Sequence, residues 1–296
     1  MLSPFAVSLP NQQGDVYPAH EAVRRSLNPE QQQMIETKQI MGSKTATDWI
    51  EFLNGLVLHD RALLPAVVRA SNRRYIIAIG LVLIIVTTIT LLSSSIPAAF
   101  MSLIITSMLA IGVVSGLPNK LHKLLFPDYL YTVLTPLMQV LQEETEPTTL
   151  INLKADLHQQ FDMSLRDHQQ RSYQHSTYEW PLLSIAARLH NQADFRLKIH
   201  IQNLFRERKS KSKRRTFIYM TFLYPKKVHP TFYPRQQVRG TLKITSKDKP
   251  KRYVLRLRKI LKYKDKPFNK SLYQDVPMRD VLEMMREGYK AVRKEA

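Results

Sequence analysis

The strongest constraint on this chain is a long stretch without a charged or strongly polar side chain. Residues 75–117 contain no Asp, Glu, Lys, Arg, His, Asn or Gln, an uninterrupted run of 43 residues. A helix that crosses a membrane needs roughly 20 apolar residues, so a single helix of this length would be about twice too long. Ser93–Pro97 interrupts the run, because proline lacks a backbone donor and disfavours the α conformation in the residue before it. The sequence therefore predicts two transmembrane helices, 75–92 and 98–117.

The charges around this hairpin predict its orientation. Basic residues stand before the first helix and after the second, whereas the connecting turn is uncharged. Positive residues remain on the cytoplasmic side, so both termini are expected there, in a plasma, inner or organellar membrane. A buried hairpin in a large soluble core is the alternative, but soluble helices of this length usually show a polar face.

Two glycines in the second predicted helix form a GxxxG motif. Gly112 and Gly116 would let two helices approach closely. The motif fits packing of the second helix against the first, or association between protomers in a homo-oligomer.

The positive charge of the chain is concentrated in its last third. Residues 195–296 carry 30 of the 44 Lys and Arg residues but only 8 of the 24 Asp and Glu residues. A block of this charge is expected to meet an anionic partner, either lipid headgroups or nucleic acid.

Patterning outside the hairpin divides the chain into further regions. Residues 1–28 lack periodicity and are expected to be disordered, and 29–74 to be helical, with a first helix reaching Gly42. An apolar stripe in this region contains Trp49, Phe52, Leu53, Leu56 and Val57. It fits either a membrane interface or packing against a folded domain. Residues 118–147 are expected to lie at the membrane interface and 148–296 to form a basic β-rich domain.

Alternation of apolar and polar residues predicts the strands of this last domain. FRLKIHIQ, residues 195–202, alternates strictly, and FIYMTFLY, residues 217–224, is apolar on both faces, as expected of a central strand. TLKITS and KRYVLRLRKILKY flank a turn and predict a hairpin. WPLLSIAARLHNQ favours a helix, and a last helix is expected from Pro277 to Lys294. The fold class expected is an α+β membrane protein: a two-span helical hairpin, a helical N-terminal region, and a C-terminal sheet or partly open barrel.

Signals of catalysis are scarce. The eight glycines are too dispersed for a phosphate-binding loop, and no pair of histidines has the spacing of a helical metal site. The absence of cysteine excludes a thiol nucleophile and a zinc–thiolate site. We therefore expect no catalytic residue, no metal and no cofactor, and interpret the protein as non-enzymatic.

Basic residues are the candidate binding groups. RERKSKSKRR, residues 206–215, is expected to form a positive hairpin tip, and the strand region 251–264 a second basic face. The candidate residues for an anionic partner are Arg206, Arg208, Lys209, Lys211, Lys213, Arg214, Arg215, Lys251, Arg252, Arg256, Arg258, Lys259 and Lys262.

Three functions fit these features. The first is an integral membrane scaffold or assembly subunit that presents its basic domain to anionic lipid and to other proteins of a membrane complex. The second is a ligand-sensing effector that oligomerises and permeabilises the membrane. In layout, two spans before a β-rich domain, the chain resembles the two-span effectors of bacterial nucleotide-signalling defence. The third is a tether for nucleic acid or the ribosome, disfavoured because the aromatic residues of 217–224 are expected to fill a core.

Overall fold

A computed structural model describes most of the chain. The described residues are 16–92, 125–127, 129–157, 169–172, 175–206, 211–233, 237–264 and 276–292. The chain divides into two compact units, the first made of residues 1–35 and 55–125 and the second of residues 36–54 and 126–296.

Helices form the described part of the first unit. α1 spans Val16–Arg25, α2 begins at Pro29 and ends at Thr37, and α3 spans Ala46–Leu92. The end of α2 from residue 36 and the start of α3 up to residue 54 belong to the second unit. The Asn28 side chain accepts a hydrogen bond from the Gln31 amide (2.8 Å), and the Gln31 side chain accepts one from the Asn28 amide (3.2 Å). These two bonds satisfy amides that the first turn of α2 leaves without helical partners.

The predicted transmembrane hairpin is not supported. α3 is continuous from Ala46 to Leu92, so the predicted span 75–92 is part of a longer helix rather than a separate element. Among the residues that the structure describes, no helix combines the length and apolar character required to cross a membrane. The two-span fold and the integral membrane location with cytoplasmic termini are therefore wrong. They rested on the apolar run, the interruption at Ser93–Pro97 and the flanking charges, which do not fix where a helix begins. The span 98–117, with Gly112 and Gly116, lies outside the described residues.

An antiparallel sheet forms the second unit. Its strands are β1 (Gln39–Lys44), β2 (Ile151–Asp156), β3 (Gln169–Ser172), β4 (His175–Arg188), β5 (Asp194–Arg206), β6 (Lys211–Pro225), β7 (Gln237–Arg239), β8 (Leu242–Lys249) and β9 (Arg252–Lys264). The strand order is β1-β2-β4-β5-β6-β9-β8-β7, and β3 pairs with β4 beside β2. The three longest pairings join β4 to β5, β5 to β6, and β6 to β9.

Several strands lie where the sequence pattern predicted them. β5 contains the alternating stretch 195–202, β6 is internal to the sheet, and β8 and β9 form the predicted hairpin. The helix expected in WPLLSIAARLHNQ is wrong, because this stretch lies in β4, which pairs with β5 on one edge and with β2 and β3 on the other. The helix expected to reach Gly42 ends at Thr37, and β1 follows it. α1 also falls within the segment that was expected to be disordered.

The second unit also contains helices whose apolar side chains are buried. A π-helix spans Leu130–Leu134, α4 spans Thr135–Glu144 and α5 spans Met278–Lys290. Apolar residues of the segment expected at a membrane interface are buried within the protein, among them Leu130, Leu134, Leu137 and Leu141. At the start of α3, Trp49, Phe52 and Leu53 of this unit are buried as well, and the indole nitrogen of Trp49 donates to the carbonyl of Ile151 in β2 (2.8 Å). For this part of the predicted stripe, burial favours packing against a folded domain.

One face of the sheet carries the apolar core. The register places Phe195 beside Phe222 and Phe222 beside Leu255, and all three are fully buried. α5 is fixed to this face by a hydrogen bond from the Tyr224 hydroxyl to the Gly288 carbonyl (2.8 Å). We call it the covered face.

Gly288 is required for the close approach of α5 to β6. A Cβ atom at this position would lie 2.2–2.9 Å from three carbon atoms of the Phe222 ring. We expect Gly288→Ala to lower the free energy of unfolding by about 1–3 kcal/mol, because overpacking outweighs the gain in helix propensity. Urea denaturation of the purified chain measures this loss.

A second substitution isolates the cause. In a Phe222→Leu background the smaller side chain removes the ring atoms that the new methyl group meets. Gly288→Ala should then cost much less than it does in the native background. An equal cost in both backgrounds would show that the contact with Phe222 is not the reason for glycine at this position.

Candidate functional site

The second face of the sheet presents basic side chains across four strands. Lys198 of β5 lies opposite Tyr219 of β6, Tyr219 opposite Arg258 of β9, and Arg258 opposite Lys243 of β8. All four side chains are exposed. The next row contains Arg196, Thr221, Arg256 and Thr245. We call this surface of β5, β6, β9 and β8 the open face. Alternation along β5 produces it, because every second residue from Phe195 to Ile201 is buried in the core.

Aromatic side chains lie in the middle of the open face. Phe217 and Tyr219 are two residues apart on β6, with ring centroids 6.1 Å apart and ring planes 9° apart. His200 meets Tyr219 edge to face at 6.0 Å. The guanidinium of Arg258 lies 5.4 Å from the Phe217 centroid and 5.7 Å from the Tyr219 centroid, within the range of a cation–π interaction.

Acidic residues are restricted to the margins of the open face. The open-face positions of β6 from 215 to 221, of β8 from 243 to 247 and of β9 from 252 to 262 contain no Asp or Glu. Within the described strands, Asp194 begins β5, and Glu179 of β4 lies opposite Gln202. The potential over the centre of this face is therefore positive, which favours an anionic ligand.

The structure brings together two basic stretches that are distant in sequence. Antiparallel pairing of β6 with β9 places Arg215 opposite Lys262, and β5 pairs with β6 as far as Arg206 and Lys211. Arg256 and Arg258, two of the predicted site residues, belong to the open face. Residues 207–210 of the predicted hairpin tip, which include Arg208 and Lys209, lie outside the described residues. The backbones of Lys213 and Arg214 lie in β6.

Lys259 is separated from this group. It lies on the covered face, its side chain is 11% exposed, and its ammonium nitrogen is 2.9 Å from Asp280 Oδ1 and 2.6 Å from Glu283 Oε2. Burial alone would lower the pKa of Lys259, but hydrogen bonds to both carboxylates and their negative charges raise it above its ordinary value. The hydrogen bond from Lys259 likewise lowers the pKa of Glu283. Lys259 therefore fixes α5 to β9.

Lys251 and Arg252 lie at the β8–β9 turn, at the margin of the open face and away from Phe217 and Tyr219. Both are exposed, and Arg252 pairs with Lys249 at the last position of the hairpin register. They add positive charge, as the open-face residues do, but they do not lie beside the rings of Phe217 and Tyr219.

Sequence reasoning missed several residues of the open face. Lys198, Arg196 and His200 were recognised as the polar side of a strand, and nothing in that pattern separates a binding surface from a solvated one. Phe217 and Tyr219 were interpreted as core, because aromatic residues follow one another through β6. The alternation of β5 could have revealed that Phe217 and Tyr219 are not core residues. A strand with one polar face implies that the strand paired with it also has one face outside the core.

In the part of the chain that the structure describes, no group of three His, Asp or Glu side chains is placed to hold a metal ion.

Comparison with known proteins found no family model, no curated protein and no solved structure that matches the chain.

The Lys259 ion pairs predict a pH-dependent contribution to stability. Because the pKa of Glu283 is lowered, its contribution is present above the ordinary value of 4.5 and is lost as the pH falls through the lowered pKa. Because the pKa of Lys259 is raised, its contribution is present below the ordinary value of 10.5 and is lost as the pH rises through the raised pKa. We expect Lys259→Met to cost about 1–2 kcal/mol at pH 7, with Glu283 partly screened by solvent.

Urea denaturation between pH 3 and pH 11 tests this prediction. The difference between the native chain and Lys259→Met should be largest near neutral pH and should shrink at both extremes. Lys262→Met is the matched control, since Lys262 is exposed on the open face of the same strand. An equal effect of both substitutions at all pH values would contradict a specific role of the ion pairs.

Proposed function

We propose that the open face binds nucleic acid, through phosphate contacts from its basic rows and a sheet surface broad enough for several nucleotides. The observation that carries the proposal is the row Lys198–Tyr219–Arg258–Lys243, in which cations flank an exposed aromatic ring on a face without central acidic residues. Basic residues supply most of the affinity of such surfaces for the phosphate backbone. No enzymatic role is part of the proposal.

The dimensions of the surface support a polymeric ligand. Strands of a sheet are about 4.8 Å apart and rise about 3.4 Å per residue, so the rows from β5 to β8 cover about 14 Å by 20 Å. A single small anion would need one convergent site rather than repeated cations. A polymer with regularly spaced phosphates can contact all the rows at once.

The long β5–β6 hairpin extends the same charge. Its strands continue beyond Gln202 and Arg215 to Arg206 and Lys211. The predicted basic tip is therefore connected directly to the open face by two paired strands. We propose that the tip adds further phosphate contacts at one end of the surface.

The aromatic residues favour nucleic acid over anionic lipid. A headgroup layer offers phosphates but no planar groups that stack on a ring, whereas bases do. The hypothesis of an integral membrane scaffold also loses its basis, because the described part of the chain contains no helix suited to crossing a membrane.

Removal of the open-face charges should weaken binding strongly. We expect a variant with Lys198, Lys243, Arg256 and Arg258 changed to Gln to bind a labelled 12-nucleotide single strand at least tenfold more weakly at 100 mM salt. The slope of log affinity against log salt should fall by about 3, since each phosphate contact on a single strand contributes about 0.7. Fluorescence anisotropy measures both quantities.

The control removes the same number of charges elsewhere. A variant with Lys227, Lys251, Arg279 and Arg286 changed to Gln lowers the net charge equally, at exposed positions outside the strands of the open face. It should keep most of the affinity. Equal losses in both variants would indicate attraction by net charge alone and would contradict a defined interface. Binding to phosphatidylserine vesicles without binding to any nucleic acid would also contradict the proposal.

A further inference from the structure

We infer that the ligand of the open face is single-stranded, and that Phe217 and Tyr219 select it by stacking on unpaired bases. This inference rests on the proposed function and specifies its substrate class. Charge cannot explain a preference for a single strand, because basic rows alone attract single-stranded and duplex nucleic acid alike.

The placement of the rings carries the inference. Phe217 and Tyr219 occupy successive open-face positions of β6, their planes are nearly parallel at 9°, and Tyr219 is 37% exposed. Tyr219 lies between Lys198 and Arg258 on the two neighbouring strands. A base stacked on this ring would therefore have a cation on either side for the phosphates that flank it.

The chemistry of stacking explains the preference for a single strand. In a duplex each base covers the faces of its neighbours, so a ring on the surface of a protein cannot reach them. In a single strand the bases separate readily and stack on exposed aromatic side chains. Arg258 adds a planar guanidinium beside both rings, a second group on which a base can stack.

A second aromatic pair provides a matched control. Phe232 and Tyr253 are also stacked, with centroids 4.5 Å apart and planes 6° apart, and the ammonium of Lys226 lies 4.9 Å from the Tyr253 ring. Phe232 follows β6, and Tyr253 pairs with Tyr224 of the covered face. This pair therefore resembles the open-face pair in chemistry but not in position.

Paired substitutions test the inference in the full chain. Phe217→Leu with Tyr219→Leu should weaken binding of a 12-nucleotide single strand at least tenfold, change binding of the corresponding duplex less than twofold, and leave the salt slope unchanged. Phe232→Leu with Tyr253→Leu should preserve binding of the single strand within twofold. An equal loss for single strand and duplex in the open-face variant would overturn the inference.

A modified ligand tests it without altering the protein. The native chain should bind a strand of the same length made of abasic nucleotides at least tenfold more weakly than an ordinary single strand, although the phosphates are the same. Equal affinities would overturn the inference while leaving the proposed function intact. If the native chain binds neither single strand nor duplex at 100 mM salt, the proposed function fails, and the inference fails with it.

Discussion

The register of three strands, β5, β6 and β9, determines the rest of the second unit. Because side chains alternate along each strand, this register aligns Phe195, Phe222 and Leu255 on one face and Lys198, Tyr219 and Arg258 on the other. A slip of one residue in β6 would place its aromatic and apolar residues on the opposite faces. The same pairing therefore builds the core and the candidate interface.

The covered face makes the open face possible. α5 lies against β6 through the Tyr224–Gly288 hydrogen bond and against β9 through Lys259, and the Tyr289 hydroxyl donates to Glu144 of α4 (2.6 Å). Most of the apolar burial and these polar contacts lie on one side of the sheet, and Leu223 and Val254 are buried at the margin of the other. Cations on the other side can remain exposed, so they need not be neutralised by carboxylates from the protein itself.

Alternation of apolar and polar residues predicted some strands correctly. It failed where a shift in strand register interrupts the alternation. β5 alternates strictly from residue 195 to residue 202, so this part of the strand and its buried face were predictable from sequence. β4 has a register shift between Pro181 and Leu183, and both Leu182 and Leu183 are buried. This shift breaks the alternation and gives the apolar residues a spacing that is typical of a helix. The last helix was expected from Pro277 to Lys294, and α5 spans Met278–Lys290.

The candidate site depended on information that sequence alone does not contain. Arg256 and Arg258 were identified from charge, but the position of Phe217 and Tyr219 beside them follows from strand pairing. Lys259 has the same chemistry as its neighbours and an opposite role, because α5 brings Asp280 and Glu283 to it. The apolar run 75–117 predicted a membrane hairpin from composition, whereas the described part of the chain contains no helix that meets the requirements.

Photocrosslinking can show whether the open face contacts bases. A single strand containing 4-thiouridine would be irradiated with the native chain, and the crosslinked peptides would be mapped by mass spectrometry. We expect crosslinks within residues 215–221 and 256–262, with Phe217 or Tyr219 as the principal sites. Crosslinks confined to α1, α2 or the β8–β9 turn would contradict this expectation.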